Sequence, residues 1–175
     1  MITIVCGTNR VDSVSFKICE QYRDLLGEKG MKSQIIDLKD LPDDFTFSAL
    51  YHNSGKNQVF NGFRNVMKES QKFVFVVPEY NGSFPGVLKA FIDGLEYPNT
   101  FKNKKCALIG LSSGIQGAGL ALSHLTDIFN YCGMHVLAQK VKLARIEANT
   151  DDDWNITNDL YKQLLQEQVG EFVEF

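Results

Sequence analysis

A short polar segment near the start of the chain carries side chains suited to binding one phosphate group. Residues 7–15 read GTNRVDSVS and follow directly on an apolar run. Hydroxyl and guanidinium groups donate hydrogen bonds to phosphate oxygens, and a helix that starts in such a segment adds free backbone N–H groups. Turns and helix N-caps use the same residue types, so the segment alone leaves a purely structural role equally open. The side chains that could bind phosphate are Thr8, Arg10, Ser13 and Ser15.

The pattern of this segment excludes two common phosphate sites. It lacks both the GxxxxGK(S/T) motif of nucleotide hydrolases and the GxGxxG motif of dinucleotide-binding folds. Asp12 counts against phosphate binding unless its side chain points outward, because a carboxylate repels a phosphate. The segment therefore suits a single terminal phosphate rather than a pyrophosphate.

A second segment, residues 78–86 with the sequence PEYNGSFPG, could border a planar ligand. Its two prolines and two glycines restrict the backbone path, so that backbone N–H groups can be held ready for a ligand. Tyr80 offers a flat ring, and Asn81 offers both a hydrogen-bond donor and an acceptor. Because Asn-Gly and Pro are also the commonest turn residues, a plain turn is the alternative.

Apolar runs alternate with helical stripes along the chain, which predicts five βα units. The last helix is expected to bury Ile156, Leu160, Leu164 and Val169. Strands that are apolar on both faces and alternate with helices predict a parallel sheet covered on both sides. The predicted fold class is α/β, a flavodoxin-like three-layer sandwich whose five-stranded parallel sheet has the order 2-1-3-4-5. Strands are predicted at residues 1–6, 34–38, 73–77, 106–111 and 134–143.

Residues 39–56 follow no period and form the one long loop predicted in the chain. A loop of this length in a compact domain is usually functional. We therefore expect it to cover the site or to contact a neighbouring subunit, through Phe45, Phe47, Leu50 and Tyr51.

The composition argues against several classes of function. The formal net charge is −3 and the basic residues are scattered, so no nucleic-acid partner is expected. The apolar runs are too short to cross a bilayer, so no membrane association is expected. The four cysteines lack metal-binding spacing, and no secretion signal is recognised at the start of the chain. We expect a cytoplasmic protein without a metal site.

Taken together, the two polar segments resemble those of the NAD(P)H-dependent FMN reductase family of flavin, quinone, azo-dye and chromate reductases. The resemblance rests on GTNRxxSxS and PEYNGSFPGVLKAFIDGL, and it spans residues 1 to about 141. Family proteins typically carry GSxRxxSxN and PEYNxSxPGxLKNxID at these places. The resemblance implies one flavodoxin-like FMN-binding domain over residues 1–175. It also implies that a hydride passes from NAD(P)H through FMN to a small-molecule electron acceptor, such as a quinone, free flavin or azo compound.

The resemblance also implies a role for each matching residue. The FMN phosphate is expected to contact Thr8, Arg10, Ser13 and Ser15. The isoalloxazine ring is expected to lie beside Pro78, Glu79, Tyr80, Asn81 and Gly82. The other edge of the ring is expected to contact Ser112, Ser113, Gly114 and Gly117. No catalytic side chain is assigned, because the hard chemistry belongs to the flavin.

The chain departs from the family pattern after the fourth strand, where many relatives read GGxRAxxxLR. Residues 117–126 read GAGLALSHLT, with neither arginine. The family is commonly dimeric or tetrameric, so a homodimer or homotetramer is expected by resemblance. Two alternatives stay open: a flavodoxin-type electron carrier, which would react slowly with NAD(P)H, and an FMN-binding protein without reductase turnover.

Overall fold

Five parallel strands form the central sheet, in the order β2-β1-β3-β4-β5. A computed structural model describes residues 1–175. The order and the parallel pairing confirm the predicted fold class. The strands are β1 Ile2–Cys6, β2 Ser33–Asp37, β3 Lys72–Pro78, β4 Lys105–Leu111 and β5 His135–Leu143.

Helices cover both faces of this sheet. The apolar residues of α1 and α6 pack on one face, and those of α3, α4 and α5 pack on the other. Single 3-10 turns occur at Leu38–Asp40, Tyr51–Asn53 and Ile146–Asn149. None of the helices combines the length and the apolar character that a bilayer span requires. The helices are α1 Val14–Glu28, α2 Phe45–Ser48, α3 Gln58–Glu69, α4 Gly86–Asp93, α5 Gly119–Tyr131 and α6 Asp159–Glu174.

Strand β3 shows why the sheet is buried on both sides. Phe73, Phe75 and Val77 belong to the apolar cluster under α3–α5, and Val74 and Val76 belong to the cluster under α1 and α6. All five side chains are fully buried. The alternation follows from the period of two along a strand. An uninterrupted apolar run in the sequence therefore marks a central strand.

The predicted inner face of the last helix is wrong at two positions. Ile156 is buried but precedes α6, and Leu160 is 58% exposed. The helix begins at Asp159, and Asn158 is its N-cap, whose side chain accepts a hydrogen bond from the N–H of Tyr161. The inward side chains are those of Leu165, Gln168, Val169 and Phe172, which share one face of the helix, and Leu160 lies off this face.

Gly110 in β4 lies against the segment that leads into α5. A Cβ atom at this position would overlap the carbonyl oxygen of Gly117 and lie 2.9 Å from the Cβ of Ala118. These neighbours are backbone or a short side chain, so they cannot rotate away. The absence of a side chain at Gly110 therefore lets the loop after β4 sit close to the sheet.

We predict that Gly110→Ala lowers the free energy of unfolding by about 1–3 kcal/mol, the usual cost of overpacking. Urea unfolding measures this change. Gly62→Ala is the matched control, because Gly62 lies in α3 and nothing lies within 4 Å of an added Cβ. That control should gain roughly 0.5–1 kcal/mol. Equal stability of Gly110→Ala and the wild-type protein would disprove the close approach.

Candidate functional site

A cleft of about 380 Å³ opens at the carboxyl edge of the sheet. Its lining comes from the loops after β1, β3, β4 and β5. The cleft lies where the strand order reverses between β1 and β3, the usual ligand position in open α/β sheets. Its volume falls within the range of small-molecule sites.

The loop after β1 forms one end of the cleft. The N–H of Gly7 donates to the carbonyl of Val76 at 2.8 Å, which fixes where the loop leaves the sheet. Thr8 and Ser15 are only 1% and 2% exposed, yet both line the cleft. Arg10 also lines the cleft and is exposed. Two buried hydroxyls and one free guanidinium therefore converge at this end.

Helix α1 begins in this loop and adds backbone donors. Ser13 is the N-cap, and its Oγ accepts a hydrogen bond from the N–H of Phe16 at 3.2 Å. The backbone N–H groups of residues 11–15 have no backbone acceptor. Those of residues 14 and 15, in the first turn of α1, carry the positive end of the helix dipole. The N-cap and anion-binding interpretations of Ser13 are thus compatible, because both use the same helix start.

The groups beneath the loop carry little net charge. Burial, and then the hydrogen bond with Cys6, raises the pKa of the Cys19 thiol, which is therefore neutral. The buried carboxylate of Asp37 lies 3.1 Å from the Nζ of Lys39. The hydrogen bond to Asp37 raises the pKa of Lys39, so the Lys39 ammonium group remains charged beside this side chain. Neither group therefore opposes an anion held above α1.

The segment after β3 is a tight hairpin. The N–H of Tyr80 donates to the carbonyl of Ser83 at 2.8 Å, and the reverse bond measures 3.1 Å. Asn81 and Gly82 have φ values of 51° and 76°, as a type I′ turn requires. The Tyr80 hydroxyl lies 2.9 Å from the Oγ1 of Thr8, within hydrogen-bond distance. The hairpin is thus joined to the loop after β1.

Glu79 ties the hairpin to the loop after β4. Its Oε2 accepts a hydrogen bond from the N–H of Ala118 at 3.0 Å, and its own N–H donates to the carbonyl of Leu111 at 2.9 Å. Ser112 Oγ accepts from the N–H of Gly117 at 2.9 Å and donates to the carbonyl of Gly114 at 3.0 Å. The loops after β3 and β4 are therefore held together before any ligand binds.

The structure brings most of the predicted site residues to one cleft. Residues from all three predicted segments line it: Thr8, Arg10, Ser13, Ser15, Pro78, Glu79, Tyr80, Ser112 and Ser113. Four others lie outside the lining: Asn81, Gly82, Gly114 and Gly117.

Local structure explains these four positions. Asn81 and Gly82 form the hairpin tip, and the Gly114 carbonyl accepts a bond from the N–H of Arg145 at 2.8 Å. A Cβ on Gly117 would lie 2.9 Å from that of Lys142, so this glycine faces β5. Their contact with a ligand stays a prediction.

Sequence reasoning missed the contribution of the loop after β5. Ile146, Glu147 and Trp154 line the cleft, together with Leu111 at the end of β4. The topology could have identified them, because the loop after every parallel strand lies at the same edge of the sheet. In contrast, no residue of the 39–56 segment lines the cleft, so its expected role as a cover or a subunit contact stays a prediction.

Comparisons with known proteins agree with this geometry. The sequence model of a family described as NADPH-dependent FMN reductase matches residues 1–147. A 2-hydroxy-1,4-benzoquinone reductase from Burkholderia sp. is 28% identical over 94% of this chain and 90% of its own length. An NAD(P)H-dependent FMN reductase from Pseudomonas aeruginosa is 27% identical over 80% of this chain and 76% of its own.

A solved structure resembles the whole fold. The flavoenzyme NAD(P)H:(acceptor) oxidoreductase from Paracoccus denitrificans superposes with a TM-score of 0.77 at 26% identity. The superposition covers 99% of this chain and 94% of that one.

We predict that Glu79→Ala lowers the free energy of unfolding by about 1.5–3 kcal/mol, because the N–H of Ala118 loses a charged acceptor. Glu79→Gln keeps an oxygen at this place and should lose clearly less. Urea unfolding of the two variants makes the comparison. If both variants are as stable as the wild-type protein, Glu79 does not hold the two loops together.

Proposed function

This chain belongs to the NADPH-dependent FMN reductase family, and on that premise we propose that its cleft binds FMN between the loop after β1 and the hairpin after β3. The protein is an oxidoreductase that uses FMN and takes electrons from NAD(P)H. FMN held there would supply the redox chemistry, namely hydride transfer from the nicotinamide and electron transfer to a small acceptor. The residue assignment rests on the convergence of two loops, which are joined by a hydrogen bond between the side chains of Thr8 and Tyr80.

The donor set at one end of the cleft fits a phosphate monoester. Thr8, Ser13 and Ser15 supply hydroxyls, the start of α1 supplies backbone N–H groups, and Arg10 supplies the only positive side chain of the lining. A dianion needs several such donors, and a guanidinium binds it with charge-assisted bonds. Asp12 also lines the cleft but is exposed, so water screens its repulsion.

The remaining lining would hold the flavin ring. Pro78, Glu79 and Tyr80 would border one edge, and Ser112 and Ser113 would border the other. The Glu79 carboxylate already accepts a bond from the N–H of Ala118. It therefore orients the loops, and we assign no side chain as a general acid or base. These loops would take their shape from Asn81, Gly82, Gly114 and Gly117. The four residues would contact the ring only if the loops move when FMN binds.

We propose a quinone as the preferred acceptor. The Burkholderia relative, named for reduction of a benzoquinone, matches almost the full length of this chain. The side chains of Ile115 and Leu120, which follow Ser113 in the chain, are exposed and apolar. An uncharged, planar acceptor such as a quinone suits such a surface better than an ionic one does.

We further propose a homodimer or homotetramer in the cytoplasm. Phe47 and Tyr51 are 81% and 78% exposed, and large exposed apolar side chains often mark subunit contacts. The four cysteines are free thiols, which suits a reducing compartment. Light scattering after gel filtration at micromolar concentration should report more than one copy. A purely monomeric profile would contradict the proposal.

Steady-state oxidation of NADPH and NADH tests the activity. We expect turnover with a benzoquinone, free flavin and an azo dye, and the fastest turnover with the quinone. An electron carrier would retain FMN but oxidise NAD(P)H slowly with every acceptor. An FMN-binding protein without reductase activity would show no turnover at all. Either of these results would contradict the proposed function.

We predict that Arg10→Ala weakens FMN binding about ten- to a hundredfold. A charged hydrogen bond contributes about 1.5–3 kcal/mol, and 1.4 kcal/mol is tenfold in affinity. Titration of flavin-free protein with FMN, followed by flavin fluorescence, gives the dissociation constant. Arg64→Ala is the control, because Arg64 lies in α3 and bonds to Ser54, outside the cleft. Unchanged binding by Arg10→Ala would remove Arg10 from the site.

A further inference from the structure

Trp154 is held in a backbone conformation that its size makes unfavourable. Its φ is 64°, in the left-handed region that glycine adopts easily and bulky residues rarely adopt. It is also the only tryptophan in the chain. Backbone strain of this kind persists where the surrounding structure enforces it, and it is concentrated at functional sites. The strained residue Trp154 belongs to the lining of the cleft.

Trp154 lines the cleft, and it also borders two neighbouring depressions. One of these depressions shares Asp12 and Ser13 with the cleft, and the other runs along α1 past Lys17 and Gln21. A residue common to all three must form the wall between them. Trp154 therefore stands beside the loop after β1 and the first turns of α1, which is the proposed phosphate end.

Hydrogen bonds to the backbone around Trp154 keep it in this place. The Nε2 of Gln21 in α1 donates to the Trp154 carbonyl at 2.9 Å, and the Oε1 of Gln21 accepts from the N–H of Ile156 at 3.0 Å. The N–H of Trp154 donates to the carbonyl of Asp151 at 3.0 Å. Because Gln21 belongs to the helix that begins at the phosphate loop, the tryptophan and that loop are fixed relative to each other.

Asp151 closes the turn that carries the tryptophan. Its Oδ1 accepts from the N–H groups of Asp153 at 3.0 Å and Asn155 at 2.8 Å. Bonds from the side chain and backbone of Asn155 hold the pKa of Asp151 below its ordinary value. The carboxylate is therefore ionised at neutral pH. The turn is ordered without a ligand, so Trp154 is available in a defined position before binding.

We propose that Trp154 is a cofactor-binding residue that covers the phosphate end of the flavin site and increases the preference for FMN over riboflavin. The indole offers a flat apolar face and one N–H donor. An apolar cover also excludes water from the phosphate, which strengthens its bonds to Arg10 and the hydroxyls. Gln21 is a positioning residue in this arrangement. The inference rests on the proposed function, since it presumes FMN in the cleft.

Four substitutions separate the role of the indole from backbone strain and from the position of the turn. Trp154→Gly removes both the indole and the strain, because glycine adopts this φ without cost. Trp154→Leu removes the indole and keeps the strain. Asn103→Gly is the backbone control, because Asn103 has a φ of 61° and lies before β4, at the opposite edge of the sheet. Gln21→Ala releases the turn without altering the indole.

Dissociation constants of flavin-free protein for FMN and riboflavin are measured by fluorescence titration, and thermal unfolding is recorded for each variant. We expect both Trp154 variants to bind FMN about tenfold more weakly, the effect of one lost aromatic contact with its donor. Riboflavin binding should change less than about twofold. Trp154→Gly should unfold at no lower temperature than the wild type. Gln21→Ala should lose part of the FMN preference, and Asn103→Gly should lose none.

Two results would overturn the inference. One is FMN binding by the Trp154 variants within twofold of the wild type. The other is an equal loss for riboflavin and FMN, which would place the indole away from the phosphate. Should the glycine variant fail to fold, the leucine variant alone decides both points. Failure of the proposed function looks different, because the wild-type protein itself would then not bind FMN.

Discussion

The pairing of β1 with β3 is the constraint on which the rest of the structure depends. These strands run parallel in register from Ile2 beside Lys72 to Cys6 beside Val76, although a whole βα unit separates them in sequence. From β1 the chain runs first to β2, which lies on one side of β1 in the sheet. It then returns past β1 to β3, which lies on the other side of β1. A crevice opens between the two following loops, as it does at every such reversal. The phosphate loop and the hairpin become neighbours for this reason.

Hydrogen bonds then keep that crevice in one shape. Tyr80 reaches Thr8 across it, and Glu79 reaches Ala118 in the loop after β4. The close approach at Gly110 lets this last loop sit against the sheet. Binding of a flexible cofactor costs less when the site is already ordered, because fewer side chains lose freedom. The geometry thus fits a flavoprotein whose side chains bind and orient while the cofactor carries the redox chemistry.

Sequence periodicity predicted the strands because a central parallel strand must be apolar on both faces, as β3 is. The strand order was predicted from the few topologies that right-handed crossovers leave for five βα units. The two polar segments line one cleft because each follows a parallel strand, and such loops lie at the same edge of the sheet. Other features depend on local detail that periodicity does not contain. Asn81 and Gly82 turn away from the cleft because two positive φ values close a hairpin. Leu160 is exposed because it lies off the face of α6 that carries the buried residues Leu165, Val169 and Phe172.

The sequence did not reveal that the loop after β5 contributes to the cleft, and this has a separate cause. Trp154 follows three aspartates and resembles part of a solvated turn, and neither its φ nor its bond to Gln21 can be read from residue types. Tertiary contacts between segments far apart in the chain decide such positions. Site prediction from motifs is therefore strongest where a strand directly precedes the motif.

Anaerobic reduction tests the central claim most directly. The purified protein is loaded with FMN, freed of excess flavin, and titrated with NADPH while its visible absorption is recorded. We predict that one FMN is retained per chain and that about one equivalent of NADPH bleaches its absorption, since a hydride carries two electrons. Quinone added after the reduction should reoxidise the flavin and restore its visible absorption. A colourless protein that cannot be loaded with FMN, or a bound flavin that NADPH leaves unchanged, would contradict the account.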